Sequence, residues 1–225
     1  MGYTEEQCIK SIEELYSKGD LNRLYDENCV NRNGVTTDTK REYQEICAEY
    51  IYNRLIDGRL PMIDLCDVKE YCTVPRKDDA KEINEESVQR DFYFGRLSLD
   101  SKYGKPVWFE LQANGHGRGK GIDLVYYNET THEINIFELK HDNDNETLLR
   151  AVLEIQTYYQ RVDWFKAIHA PYLQEKLNSE YIAKINKYIL FNQPCRNIFK
   201  KYNNLSDNSY VQKLIKEFNI GIVLY

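Results

Sequence analysis

The chain has 225 residues, of which 42% are hydrophobic and 29% are charged. This length suits one sizeable α/β domain, alone or with a smaller helical companion, and the composition is too apolar for a disordered chain. The formal net charge of −6 argues mildly against a stable nucleic-acid-binding protein, whose affinity comes mostly from neutralising phosphates, and less against an enzyme that uses a metal ion.

The sequence predicts no signal peptide, no membrane span and no cysteine motif. No apolar stretch approaches the roughly 18 residues that a membrane span needs, and the first residues predict an amphipathic helix in place of a signal peptide. The six cysteines are scattered, with no CxxC pair and no histidines at zinc spacing. We therefore expect a cytoplasmic protein with reduced thiols and no membrane partner.

The first part of the chain predicts two helices. Thr4 and Gln7 form a candidate capping box for a first helix that Gly19 would end. Apolar residues at helical spacing predict a second helix from about residue 39 to 56, with Gly58 where a C-cap glycine belongs.

A polar and charged stretch, residues 75–82, is the candidate domain boundary. It divides a helical N-terminal region, residues 1–80, from a core domain, residues 81–225. The core begins with a predicted helix over 82–94. Three extended segments follow, at residues 107–112, 122–127 and 134–140, and their short linkers predict an antiparallel meander.

The rest of the core alternates helices and strands. A long amphipathic helix is predicted over about 146–168 and another helix near 173–187. Two buried strands are predicted at 188–191 and 220–225. The order helix, three strands, helix, strand, helix, strand indicates an α/β fold.

One of five (D/E)-x-K tripeptides lies in an informative context. Only Glu138-Leu-Lys140 ends an apolar strand and precedes a long amphipathic helix. Because side chains alternate along a strand, Glu138 and Lys140 project from the same face. Asp123 lies on the neighbouring apolar strand, where a carboxylate is costly to bury unless something compensates it.

A divalent cation would supply that compensation. Asp123, Glu138 and the backbone carbonyl of Leu139 could bind Mg²⁺, which prefers oxygen ligands and retains several waters. A water near Lys140 could then attack a phosphodiester, with the metal and the ammonium stabilising the developing charge. The alternative is a strand-end Asp123 and a solvated cross-strand salt bridge between Glu138 and Lys140.

The sequence resembles the PD-(D/E)xK nuclease superfamily over roughly residues 82–225. The resemblance lies in Gly121-Ile-Asp123-Leu-Val, the polar hairpin after it, and Ile-Phe-Glu138-Leu-Lys140. The resemblance implies a restriction-endonuclease-like core (α-β-β-β-α-β, here with a further helix and strand) plus a helical N-terminal extension. It implies a Mg²⁺- or Mn²⁺-dependent nuclease that cleaves DNA in preference to RNA. The residue before Asp123 is Ile122, whereas the motif for which the family is named has Pro at this position.

The resemblance also implies two auxiliary residues. Family members often carry a metal-binding Glu on the first core helix, for which we select Glu86, with Glu85 or Glu82 as alternatives. Several subfamilies place a Gln on the helix after the lysine strand, and Gln156 fits, although Gln160 stands where their Tyr would be.

Arg118 and Lys120 lie in the Gly-rich loop that leads to Asp123, where they would contact a substrate phosphate or simply belong to a solvated turn. A protein partner or a homodimer could supply DNA affinity. Two other functions stay open: a catalytically inactive nuclease-fold protein acting as an interaction or scaffold module, and a helical partner-binding protein whose β core is only structural.

Overall fold

A computed structural model describes residues 2–65, 85–107, 122–141, 146–169, 181–192 and 201–225, together with positions 171, 174 and 177. The fold is α/β. The helices are α1 (Glu5–Lys18), α2 (Tyr43–Tyr52), α3 (Glu85–Tyr93), α4 (Leu148–Arg161), α5 (Trp164–His169) and α6 (Tyr210–Glu217). The strands are β1 (Lys105–Pro106), β2 (Leu124–Asn128), β3 (Glu133–Lys140), β4 (Lys184–Phe191) and β5 (Ile220–Leu224).

The chain divides into two compact units. The first comprises residues 1–64, 142–157 and 194–220, and the second comprises residues 65–141, 158–193 and 221–225. The boundary predicted between residues 80 and 81 falls outside the described residues and stays a prediction. Among the described residues, no helix combines the length and the apolar composition that a membrane span requires.

Helix α1 begins and ends as its sequence predicts. The Gln7 backbone N–H donates to Thr4 Oγ1 at 3.2 Å, and the Thr4 backbone N–H donates to Gln7 Oε1 at 2.9 Å. This reciprocal pair is the capping box that the sequence indicates. Gly19 ends the helix with φ of 68°, a left-handed conformation that glycine adopts without steric cost.

Helix α2 is shorter than the predicted segment 39–56. The residues before it form a small antiparallel bridge between Val35 and Glu42, so the helix begins only at Tyr43. It ends at Tyr52, and the prediction of Gly58 as its C-cap is wrong. Gly58 lies instead in a turn that Ile56 and Arg59 close with two backbone hydrogen bonds of 3.0 Å.

Three of the scattered cysteines meet in the interior of the first unit. Cys8, Cys29 and Cys47 come from separate segments, and all are buried. Ser11 Oγ lies 3.0 Å from Cys29 Sγ. Hydrogen bonding with the Cys47 thiol lowers the pKa of the Cys8 and Cys29 thiols.

The second unit is built on one mixed sheet with strand order β1-β2-β3-β4-β5. The antiparallel pairing of β2 with β3 confirms this part of the predicted meander, and β1 also pairs antiparallel with β2. Strand β4 lies parallel to β3. The first strand is described only at Lys105–Pro106, and most of the predicted strand 107–112 falls outside the described residues. Strand β3 matches its predicted segment to within one residue.

The helices after the meander differ from prediction at their ends. The segment predicted as one helix over 146–168 contains α4 and α5, because Asp163 interrupts it and its Oδ1 accepts the Lys166 backbone N–H at 3.1 Å. The helix predicted to reach residue 187 stops earlier. Residues 184–187 belong to β4, where they pair with residues 133–136 of β3.

The two faces of the sheet have different characters along β3. Phe137 and Leu139 project to the face that packs against Val88 and Phe92 of α3, where aromatic and aliphatic side chains form a buried cluster. Alternation places Ile136, Glu138 and Lys140 on the opposite face. The charged residues therefore lie on one side of the sheet and the α3 core on the other.

Candidate functional site

Strands β2 and β3 bring Asp123 beside Glu138. The last ladder pair at this end is Leu124 opposite Phe137, and continuing the register sets Asp123 opposite Glu138. Residues opposite each other in an antiparallel pair share a face, so Asp123 lies on the same face as Glu138 and Lys140. Asp123 is half-buried, whereas Glu138 is 3% exposed and Lys140 is 2% exposed.

Glu138 and Lys140 form a buried ion pair. The Lys140 Nζ donates to Glu138 Oε1 at 2.7 Å. Burying either charge alone would be strongly unfavourable, and the short charge-assisted hydrogen bond offsets that cost. The predicted alternative of a solvated salt bridge on an exposed face is therefore wrong for this pair.

The Asp123 carboxylate forms one more hydrogen bond to β3 beyond the last backbone pair of β2 and β3, Leu124 and Phe137. The Leu139 backbone N–H donates to Asp123 Oδ2 at 2.7 Å. The Lys140 carbonyl accepts the Asn192 N–H at 3.2 Å, so the backbone groups of Lys140 face β4. Because these groups alternate in direction along a strand, the carbonyl of Leu139 points to the Asp123 side.

These donors suit a hard divalent cation. Asp123 and Glu138 supply two carboxylates on one face, and the Leu139 carbonyl points to the side of the strand where Asp123 lies. Among the described residues there is no group of three His, Cys, Asp or Glu side chains arranged to hold a metal ion. Mg²⁺ commonly binds through one or two carboxylates and completes its shell with water, so the two carboxylates are a sufficient protein contribution.

The other predicted site residues are distributed as follows. Arg118 and Lys120 fall outside the described residues, and so does the alternative Glu82. Glu86 lies in α3, but its side chain is outside the described part of the structure. Gln156 is 1% exposed on α4 and belongs to the first compact unit, whereas Asp123, Glu138 and Lys140 belong to the second. Within the described part of the second unit, the structure brings Asp123, Glu138 and Lys140 together.

Two contacts from α3 were missed at the sequence level. The Gln89 side-chain amide donates to the backbone carbonyl of Asp123. Tyr93 Oη accepts the Val125 backbone N–H at 3.4 Å. The available signal was a polar residue, Gln89, directly after the core residue Val88 of an amphipathic helix, but its partner could not be read from the sequence.

A polar cluster also lies at the end of the central strands. His141 Nδ1 lies 2.9 Å from Asn192 Nδ2 and 3.4 Å from Tyr225 Oη. The ring of Tyr225 makes an edge contact with Phe92 at 5.0 Å, so this cluster contacts the core on the α3 side of the sheet. It therefore anchors the strand end that carries Lys140.

Comparisons of this chain with protein-family models, with curated proteins and with solved structures found no match. A function therefore has to be inferred from the chemistry and the geometry of the chain's own residues.

Proposed function

We propose that this protein is a divalent-metal-dependent nuclease of the PD-(D/E)xK type, with DNA as the preferred substrate and a restriction-endonuclease-like core. The observation that carries the proposal is the grouping of Asp123, Glu138 and Lys140 on one face of adjacent strands, with Lys140 hydrogen-bonded to Glu138. The meander before that face and the parallel strand after it add support.

Each residue has a distinct proposed role. Asp123, Glu138 and the Leu139 carbonyl would hold Mg²⁺ or Mn²⁺, and Glu86 is the proposed further ligand. The bound metal would polarise the phosphate and lower the pKa of a coordinated water. Lys140 would orient that water or stabilise the negative charge that develops on the phosphate.

The ion pair with Glu138 would help to position Lys140 for this reaction. A metal that engages Glu138 would share the carboxylate with the Lys140 ammonium, so the lysine stays beside the reacting phosphate. Gln156, Arg118 and Lys120 are proposed as auxiliary residues, the last two as phosphate contacts. The net charge of −6 favours transient substrate binding, or a protein partner or second copy that supplies DNA affinity.

One observation favours a second candidate function, a catalytically inactive nuclease fold that serves as an interaction module. In the described part of the chain, no three metal-binding side chains form a group, and Lys140 already neutralises Glu138. A salt-bridged pair of this kind can be purely structural. Metal binding by the folded protein separates the two candidates.

The test is cleavage of linear DNA, circular DNA, single-stranded DNA and RNA with Mg²⁺, Mn²⁺ or EDTA. We expect metal-dependent cleavage by the wild type that falls at least about 100-fold in Asp123→Asn and in Lys140→Met, a loss typical of removing one group that stabilises the transition state. Circular substrate distinguishes endonuclease from exonuclease action.

Two matched variants control for nonspecific effects. Asp100→Asn and Lys184→Met change an exposed aspartate and an exposed lysine and should cleave like the wild type. Asp123→Asn preserves shape and so guards against the possibility that Lys140→Met fails to fold. Equal cleavage by Asp123→Asn and the wild type, or no cleavage of any substrate by folded wild type, would contradict the proposal.

A further inference from the structure

Helix α3 is hydrogen-bonded to the β1-facing edge of β2 next to the candidate site. Its Gln89 side chain donates to the carbonyl of Asp123, and Tyr93 accepts the N–H of Val125. Asp123 and Val125 are two residues apart, so their backbone groups point to the same edge of the strand. That edge faces β1, and Val107, directly after β1, donates its N–H to the Val125 carbonyl at 2.8 Å.

The spacing of helix and strand explains why both contacts form. Gln89 and Tyr93 are four residues apart and share a helix face, which separates them by about 6 Å along the helix axis. Two residues of a strand span about 6.6 Å. The spacing of the two side chains therefore matches the spacing of alternate backbone groups along the β1-facing edge of β2.

Helix α3 therefore contacts the Asp123 backbone, and strand β3 contacts the Asp123 carboxylate. Its carbonyl accepts from Gln89, while its Oδ2 accepts the Leu139 N–H at 2.7 Å. A shift of the Asp123 backbone would move the carboxylate away from Leu139. Replacing a residue that orients a metal ligand typically weakens metal binding about 10- to 100-fold.

We infer that Gln89 is a positioning residue, which fixes the backbone at Asp123 so that its carboxylate is aligned for a divalent cation. This inference deepens the proposed function and rests on it wherever Asp123 is treated as a metal ligand. The contact between Gln89 and the Asp123 carbonyl also matters in the metal-free protein. By fixing the Asp123 backbone, it keeps the Asp123 carboxylate in position to accept the Leu139 N–H.

The first readout is amide hydrogen exchange of the metal-free protein, followed by NMR. In Gln89→Met, which has similar length and no donor, we expect Leu139 N–H to exchange about tenfold faster, the effect of weakening one hydrogen bond. Exchange at Ile134, near the start of β3 and away from Leu139, should be unchanged. Gln89→Lys keeps an N–H donor and should restore much of the protection.

The second readout is Mn²⁺ affinity measured by calorimetry. We expect Gln89→Met to bind Mn²⁺ about 10- to 100-fold more weakly than the wild type, as for other residues that support a metal ligand. Asp91→Asn, on the same helix, removes a carboxylate paired with Arg96 at 2.8 Å and serves as the control with unchanged affinity.

The outcomes separate this inference from the proposed function. If the wild type binds no Mn²⁺, the proposed function fails, while the exchange of Leu139 still decides whether Gln89 positions Asp123. If exchange in Gln89→Met rises equally at Leu139 and Ile134, or at neither, the positioning role is overturned. Unchanged Mn²⁺ affinity beside a metal-binding wild type overturns it too.

Discussion

Glu138 and Lys140 carry opposite charges and are both buried in the sheet. Their side chains are 4% and 3% exposed, and one hydrogen bond of 2.7 Å joins them. A lone buried charge is far more costly than a buried pair, so each residue depends on the other. The pair therefore couples the stability of the sheet to the groups proposed for catalysis.

This dependence makes Lys140→Met a stability variant as well as an activity variant. Removing the ammonium takes the 2.7 Å ion pair away from the buried Glu138 carboxylate, and we expect a loss of about 3 kcal/mol in the free energy of unfolding. The double variant Glu138→Gln/Lys140→Met carries no charge and should recover much of that loss. Urea unfolding of the wild type, both single variants and the double variant gives the coupling free energy.

The exposed Lys184 provides the reference for that cycle. Lys184→Met changes the same residue type at the start of β4 and should alter stability by less than about 0.5 kcal/mol. A Lys140→Met variant as stable as Lys184→Met would show that the buried pair does not contribute in this way.

Sequence reasoning at the residue scale succeeded where a local rule applies. The alternation of side chains along a strand was enough to group Glu138 with Lys140, and the antiparallel meander placed Asp123 on the same face. The positions of Gln89 and of the three buried cysteines depend on contacts between segments far apart in the chain. No spacing rule reports such contacts, so the sequence alone could not reveal them.

At the scale of elements, α1 and α2 are held together partly by tyrosines. The rings of Tyr16 and Tyr50 make an edge contact at 6.0 Å. Burial raises the pKa of Tyr16 to about 12, although the positive charge of Arg54 opposes this shift. The Tyr16 hydroxyl has no hydrogen-bond partner among the described residues.

This environment predicts how Tyr16→Phe changes the response to alkali. The folded protein keeps the Tyr16 proton to a higher pH than the unfolded chain, whose tyrosines ionise near pH 10. The stabilising contribution is therefore complete below about pH 10 and is lost as pH rises through about 12. Tyr16→Phe cannot ionise, so its stability should fall less over this range.

Urea unfolding at neutral and at alkaline pH checks the expectation. Near neutral pH, Tyr16→Phe should match the wild type to within about 1 kcal/mol, because it removes a buried hydroxyl that has no hydrogen-bond partner in the described part of the chain. Tyr181 is 64% exposed, so Tyr181→Phe should follow the wild type at every pH. If Tyr16→Phe loses stability in alkali as steeply as Tyr181→Phe, the buried phenol does not control the response.

The elements themselves were predicted best where a helix or strand has a local stop signal. The capping box and Gly19 define both ends of α1, and the apolar run ending at Lys140 defines β3. The ends of α2 and β4 depend on partners, namely the bridge between Val35 and Glu42 and the pairing of β4 with β3. Patterns within one segment do not contain that information.

At the scale of the whole molecule, the chain combines an acidic balance with a site proposed to act on a polyanion. A net charge of −6 repels nucleic acid at long range, and a divalent cation at the site would offset part of this repulsion locally. The proposed function requires that the folded protein binds such a cation through Asp123 and Glu138. The central claim can be tested at this step without knowledge of the substrate.

The most direct measurement is a calorimetric titration of Mn²⁺ into the wild type, Glu138→Gln and Glu133→Gln. Glu133 lies on the same strand but projects to the opposite face of the sheet, so it is a matched control. We predict that the wild type and Glu133→Gln bind Mn²⁺ alike and that Glu138→Gln binds at least about tenfold more weakly. Equal binding by Glu138→Gln and the wild type, or no binding by the folded wild type, would contradict the proposed metal site.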